Sequence, residues 1–111
     1  MRLATITSTL LGMQASIAAA AIAKGNIIQN SVIYHSAWIE GDNQCSDHVN
    51  IAKSHEWLCD KKFTLRNGYT YMFKGCGTND FAVYNGDGSY NHHCAWDPQN
   101  LGCATTKEWV C

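Results

Sequence analysis

Residues 59–76 read CDKKFTLRNGYTYMFKGC, with Asn67-Gly68 at the midpoint and Cys59 and Cys76 equidistant from it. Asn-Gly between alternating apolar residues is the strongest short-range hairpin signal, because a type I′ turn needs positive φ at both central positions. A two-residue loop at Asn67-Gly68 pairs Arg66 with Tyr69, Leu65 with Thr70, Phe63 with Met72 and Cys59 with Cys76. Counting outward, Cys59 and Cys76 fall on a non-hydrogen-bonded pair, whose Cα separation of about 4.5 Å suits a disulfide. The sequence therefore predicts a hairpin stapled by Cys59–Cys76, with Phe63, Leu65 and Met72 facing inward. In that register Lys61 lies opposite Lys74, a mildly unfavourable pair that a bulge near Gly75 would relieve. Tyr69, Tyr71 and Phe73 fall on the opposite face and are the expected contact surface.

Turn signals organise the flanking sequence in the same way. Asn26 to Glu40, NIIQNSVIYHSAWIE, is rich in Ile, Val, Tyr and Trp and reads as one or two strands. Gly41-Asp42-Asn43 reads as a turn. Cys45 to Cys59 has two readings. Ser46 or Asp47 caps one or two helical turns, the favoured one, or Val49 and Ile51 alternate as a strand. Phe81 to Trp96 is a second hairpin around Asn85-Gly86-Asp87-Gly88, Asp97 to Gly102 a loop, and ATTKEWVC at the C-terminus a last strand. The expected fold is small, disulfide-rich and mainly β, or α+β with one short helix. It has two hairpins plus N- and C-terminal strands.

The first 23 of the 111 residues read differently. Arg2 is followed by an uncharged, alanine-rich run to Ala23, the layout of a secretory signal peptide. Ala21 and Ala23 favour a cut before Lys24, and the neighbouring alanines permit cuts one to five residues earlier. The domain is then 24–111, with no further membrane-length apolar run. All six cysteines follow the cut, which predicts three disulfides formed during export. Cys45, Cys94, Cys103 and Cys111 supply two of the bridges, and three pairings remain open for them. A chain of 88 residues buries somewhat over ~60 % of its unfolded surface, so cross-links supplement a thin core.

Chemistry is sparse. Seven basic and nine acidic residues follow Ala23, with no basic block, so neither a nucleic-acid nor a membrane partner is expected. His92 and His93 adjoin Cys94, but alternation sends them to opposite faces of a strand, and HEWLC lacks the second histidine of a zinc helix. Asn85, Asp87 and Ser89 alternate like calcium ligands, yet Tyr90 and Trp96 stand where an EF-hand loop needs Gly and Glu. Neither a metal site nor a cofactor is expected. His55, Glu56, Arg66 and His92 occur in the chain order of an acid–base ribonuclease set without its local motifs, which makes them a weak catalytic candidate. No nucleophile elbow or free catalytic cysteine accompanies them.

The export signal, length and cysteine density together resemble the small secreted cysteine-rich proteins of filamentous fungi. Many of those are effectors that act on a host plant. The resemblance is one of class and carries no functional residue across. It implies a secreted, extracellular, virulence-type interaction protein, not an enzyme, that binds a host or extracellular protein and suppresses defence; a monomer is expected. The alternatives are a chitin or glucan binder of the cell wall using exposed aromatics, a ribonuclease-like protein without activity, and an antimicrobial or killer-type toxin.

Overall fold

Two antiparallel sheets stack through a single aromatic core. The structure, a computed structural model, describes residues 21–111. Its strands are β1 (Ile22–Gln29), β2 (Val32–Ile39), β3 (Val49–Lys53), β4 (Phe63–Thr64), β5 (Thr70–Lys74), β6 (Ala82–Asn85), β7 (Tyr90–His93), β8 (Ala95–Leu101) and β9 (Thr105–Val110). One helical turn, α1 (Gln44–Asp47), separates β2 from β3. The five-stranded sheet runs β3-β2-β1-β9-β8 and the four-stranded sheet β4-β5-β6-β7. The fold is the mainly β, disulfide-rich class the sequence predicts, with one very short helix.

The opening hairpin forms with a different register. Phe63 pairs with Tyr71 and Thr64 with Thr70, one residue away from the expected alignment. Leu65 and Tyr69 close a three-residue loop, with Leu65 N–H donating to Tyr69 O (3.1 Å) and Gly68 N–H to Leu65 O (2.9 Å). Only Gly68 has positive φ (85°), so this is a type I turn followed by a left-handed glycine rather than a type I′ pair. Asn67 Oδ1 accepts from Tyr69 N–H (3.1 Å), which favours the longer loop. A slip of one residue turns a strand over. Here it buries Tyr71 and Phe73 beside Phe63, while Met72 remains buried too. The expected exposed face of Tyr69, Tyr71 and Phe73 is thus corrected: only Tyr69 is exposed.

The Cys59–Cys76 bridge is nevertheless present, outside the strand ladder. Asp60 (φ 68°) turns the chain out of extended geometry and its N–H donates to Phe73 O (2.9 Å). Lys74 faces Asp60 (2.7 Å) instead of Lys61. Gly75 (φ 81°) bends the exit of β5, with Asp80 O so close that a Cβ has no room. The remaining pairs are Cys45–Cys103 and Cys94–Cys111, leaving no free cysteine.

Elsewhere the elements divide between expectation and correction. The two-residue left-handed turn occurs at Asn30-Ser31 (φ 52° and 65°), joining β1 to β2 with Gln29 opposite Val32. Cys45 to Cys59 holds both elements weighed for it, helix then strand, but the cap is Asn43, whose Oδ1 accepts from Cys45 N–H (2.9 Å). The expected loop from Asp97 to Gly102 lies largely within β8, an edge strand. Pro98 is tolerated there because the β8–β9 ladder is interrupted between Trp96 and Gln99.

Residues 1–20 of the expected signal segment lie outside the described residues. Ala21 O accepts from Glu40 N–H (3.0 Å), Ile22 exchanges backbone hydrogen bonds with Cys111, and Ile22 and Ala23 are buried. Strand β1 therefore begins two residues before the favoured cut.

Alternation gives the five-stranded sheet two apolar faces. Ile22, Ala37 and Cys111 on one side meet Phe63, Tyr71, Phe73, Phe81 and Val83 of the other sheet. Ala23, Ile27 and Trp38 pack on the reverse side with Leu101, and Trp38 lies over Gly25, where a Cβ would strike Thr106 O. On that reverse side Lys107 is buried, its ammonium reaching Glu40 (3.3 Å) and Asp97 (3.7 Å).

Candidate functional site

At one end the aromatic interior opens into a cleft of about 420 Å³, lined by Lys24, His35, Glu56, Trp57, Leu58, Cys76, Gly77, Thr78, Phe81 and Trp109. Three segments build it. The five-stranded sheet supplies the floor through Lys24, His35 and Trp109. The β3–β4 connection supplies Glu56, Trp57 and Leu58, and the β5–β6 connection supplies Cys76, Gly77 and Thr78. The Cys59–Cys76 bridge ties the second and third segments together beside the cleft.

A β-bulge sets the floor. Lys24 pairs with Trp109 but Gly25 with Lys107, so Glu108 is the extra residue of β9. A bulge re-aims a side chain, and here the Glu108 carboxylate turns back to Lys24. The two form an ion pair, and Asn26 Nδ2 donates to the other carboxylate oxygen (3.3 Å). Lys24 is only 3 % exposed. Burial lowers its pKa, and the hydrogen bond and charge of Glu108 act in the opposite direction.

His35 lies opposite Asn26 in the β1–β2 ladder, two residues along β1 from Lys24. Its Nε2–H donates to Ser54 O (3.1 Å), which leaves Nδ1 as the acceptor. That atom is shielded from solvent and has no partner. Burial, then the nearby Lys24 charge, lowers the His35 pKa, so the ring is neutral at pH 7.

The walls are aromatic. Trp57 is 62 % exposed on an irregular segment and lines the cleft. Trp109 contacts Phe81 (5.0 Å between centroids) and, edge to face, Trp96 (5.0 Å), itself 58 % exposed. Phe81 stacks on Phe73 (5.1 Å) and Phe73 on Phe63 (5.2 Å). One run of rings therefore links the core to the surface through the cleft floor. Gly77 (φ 76°) has no side chain, and a Cβ there would meet open space, so the backbone itself forms that part of the wall.

The sequence-derived acid–base set does not assemble here. Glu56 lines the cleft and its Oε1 accepts from Lys53 N–H (2.8 Å), which lowers its pKa. His55 is exposed beside it in the chain. Arg66 sits in the β4–β5 loop, held through two nitrogens by Asp42 (3.0 and 3.1 Å), with Asp47 at 3.8 Å. His92 is exposed on the edge strand β7. No hydrogen bond or ion pair among the described residues joins Arg66 or His92 to Glu56. Asp87, weighed as a calcium ligand, is engaged by Ser89 N–H (2.9 Å) and its hydroxyl (2.6 Å) within the β6–β7 turn. Among the described residues no three His, Cys, Asp or Glu side chains are placed to share a metal ion.

Sequence reasoning missed Lys24, His35 and Glu108. Lys24 was assigned to the boundary of the signal peptide, and His35 and Glu108 carry no motif. The one available signal was a lysine at an alternating position within the Ile-rich first strand. No protein-family model, curated protein or solved structure matches this chain.

Proposed function

We propose that this chain is a secreted, effector-type interaction module that acts by binding an extracellular target, and that the cleft between its sheets holds that target. The observation that carries the reading is Trp57. A large aromatic side chain stands mostly in solvent at the lip of a cavity whose floor is already satisfied electrostatically. Exposed tryptophan is costly to leave in water and is a residue type that dominates binding energy where it is buried by a partner. The floor favours binding over turnover. Lys24 is engaged by Glu108, and His35 Nδ1 is buried with no hydrogen-bond partner, so no acid–base pair is hydrogen-bonded through the imidazole. General acid–base chemistry needs two such groups within reach of one reacting centre.

Three disulfides accord with an extracellular setting. No helix among the described residues is long and apolar enough to cross a membrane. The test is retention of the disulfide-intact protein on insoluble cell-wall polysaccharide and on immobilised extracellular proteins of a plant host. Wild-type protein is expected to be retained by one of these, and Trp57→Ala to be lost from it. Equal retention of Trp57→Ala and wild type would remove the cleft from the reading.

A further inference from the structure

Resting on that reading, we infer that the cleft takes an uncharged oligosaccharide segment, with a sugar ring stacked on Trp57. Size, charge and wall chemistry each limit the ligand. A concave volume of about 420 Å³ suits a small-molecule-sized group. Protein partners of standard affinity instead cover roughly 800 Å² of flatter surface. A bound segment of a longer chain fits such a cleft, provided both ends can leave it.

Charge excludes the acidic classes. The ionisable cleft residues are Lys24, His35 and Glu56, with Glu108 behind Lys24. The Lys24 ammonium is committed to Glu108, the imidazole is neutral, and Glu56 is a carboxylate under the charges of His55, Lys53 and Lys61, so a phosphate or uronate entering the cleft finds no uncommitted cation among the lining residues. Lys24 cannot turn outward to receive an anion without abandoning Glu108 in a largely buried position, which is expensive. The floor therefore presents a neutralised polar network: hydrogen-bonding groups without a free charge.

The walls then favour a ring that has both an apolar face and hydroxyl edges. Trp57, Trp109 and Phe81 offer aromatic surface to C–H groups. The Glu56 carboxylate and the bare backbone at Gly77 line the same space and can pair with ring hydroxyls, while the Thr78 hydroxyl already donates to Gly75 O (2.8 Å) and accepts from Asp80 N–H (3.1 Å). A purely apolar ligand would cover the Glu56 carboxylate and the Gly77 backbone without pairing them, and an anionic one would find no free cation in the lining. Neutral pyranoses satisfy both constraints. Trp96, edge to face with Trp109 and itself exposed, extends the aromatic surface beyond the cleft and gives the next ring of a chain a place to lie.

The test is titration of the disulfide-intact protein with chitotetraose, laminaritetraose and cellotetraose, and with tetragalacturonate as the acidic counterpart. Tryptophan fluorescence and backbone amide NMR shifts are followed up to about 5 mM, enough to fill a 1 mM site. At least one neutral oligosaccharide is expected to bind, with shifts at Trp57, Gly77 and Thr78. Tetragalacturonate is expected to bind at least about tenfold more weakly. Trp57→Ala should weaken neutral binding by about tenfold or more, and Trp57→Phe, which keeps an aromatic face, by less. Because Trp57 is exposed, both variants should keep the wild-type melting point. Equal or tighter binding of tetragalacturonate would overturn the charge argument, and unchanged affinity in Trp57→Ala would overturn the stacking argument. Silence from every oligosaccharide would overturn the ligand class. In that last case retention of wild type, but not Trp57→Ala, on an immobilised protein would still separate this inference from the broader binding reading.

Discussion

At the scale of single residues, the buried pair Lys24–Glu108 and its neighbour His35 make the clearest quantitative statements. Removing one partner of a buried ion pair leaves the other charge uncompensated, and the measured cost is about 3–5 kcal/mol for full burial. The Glu108 side chain keeps 22 % of its exposure, so Glu108→Ala should destabilise by somewhat less than a fully buried pair would, about 2–3 kcal/mol. The double variant Lys24→Met/Glu108→Leu should recover most of the loss, since apolar replacements of similar volume avoid the desolvation penalty. Chemical denaturation of the wild type and the two variants checks both outcomes, and a double variant as unstable as Glu108→Ala would refute the electrostatic account. His35 adds a pH dependence. Its folded pKa lies below the ordinary value of 6.5, so on acidification the unfolded chain takes up its proton first. Stability attributable to His35 is therefore fully present above about pH 6.5 and falls as the pH drops below it. The denaturation midpoint should be lower at pH 5 than at pH 7.5, and His35→Asn should reduce that difference.

At the scale of elements, turn chemistry and strand register come from different sources. The β4–β5 and β6–β7 hairpins use the same device: a three-residue loop, an Asx side chain bonding two residues ahead, and a left-handed glycine. Asn67 and Gly68 serve the first, Asp87 and Gly88 the second. In such a loop only the glycine needs positive φ. Gly68→Ala should thus cost about 1–2 kcal/mol, the penalty of the left-handed region. Asn67→Gly should also destabilise, by about 1–3 kcal/mol, because it removes the acceptor of Tyr69 N–H and the Asn67 Nδ2 donor to the hydroxyl of buried Tyr71 (2.9 Å), and it relieves no left-handed strain. A type I′ loop would instead favour glycine at both positions, so a stabilised Asn67→Gly would point back to the two-residue turn. Thermal melts of the two variants decide between them.

How much was legible follows from the same contrast. The hairpins, the first strands, the last strand and the Cys59–Cys76 bridge were readable because Asn, Gly and alternation act locally. The register was not, because burying Tyr71 and Phe73 against Phe81 and Val83 is a property of the second sheet. Edge strand β8 was hidden by Pro98, which the sequence reading took as a loop signal and the interrupted ladder accommodates. The cleft was the least legible part. Lys24, His35 and Glu108 are brought together by pairing between β1, β2 and a bulged β9, and no local pattern encodes a bulge.

At the scale of the molecule, the three disulfides divide the labour between stability and site geometry. Cys45–Cys103 joins α1 to the β8–β9 turn across a sequence separation of 58, reinforced by Gln44 Nε2 donating to Gly102 O (3.2 Å). The other two each span 17 residues. In the chain-entropy model loops of these lengths give about 4 and about 3 kcal/mol, and nesting of one loop in another reduces the larger figure. The first strand sets a boundary for the same accounting. Because Ile22 and Ala23 are buried in β1, trimming before Lys24 would delete core contacts, so the proposed secretion requires a mature form that begins at or before Ala21. Intact mass measurement reads that start directly, and a mass beginning at Lys24 would contradict it.

Position in the fold, more than loop length, then separates the bridges by function. Cys94 sits where the chain leaves β7 in one sheet and enters β8 in the other, and Cys111 follows β9 two residues after Trp109. This bridge therefore anchors both the junction of the sheets and the strand that presents Trp109 and Glu108 to the cleft. Cys45–Cys103 holds the turn at the opposite end of β9. Replacing Cys45 and Cys103 by serine should lower the melting temperature while leaving cleft binding near its wild-type affinity. Replacing Cys94 and Cys111 should lower both, because Trp109 loses its anchor and the buried Ile22 backbone pairing with Cys111 loosens. Melting curves paired with ligand titrations on the two double variants test the distinction. Equal loss of affinity in both would mean that the cleft depends on global stability alone rather than on the local tether beside Trp109.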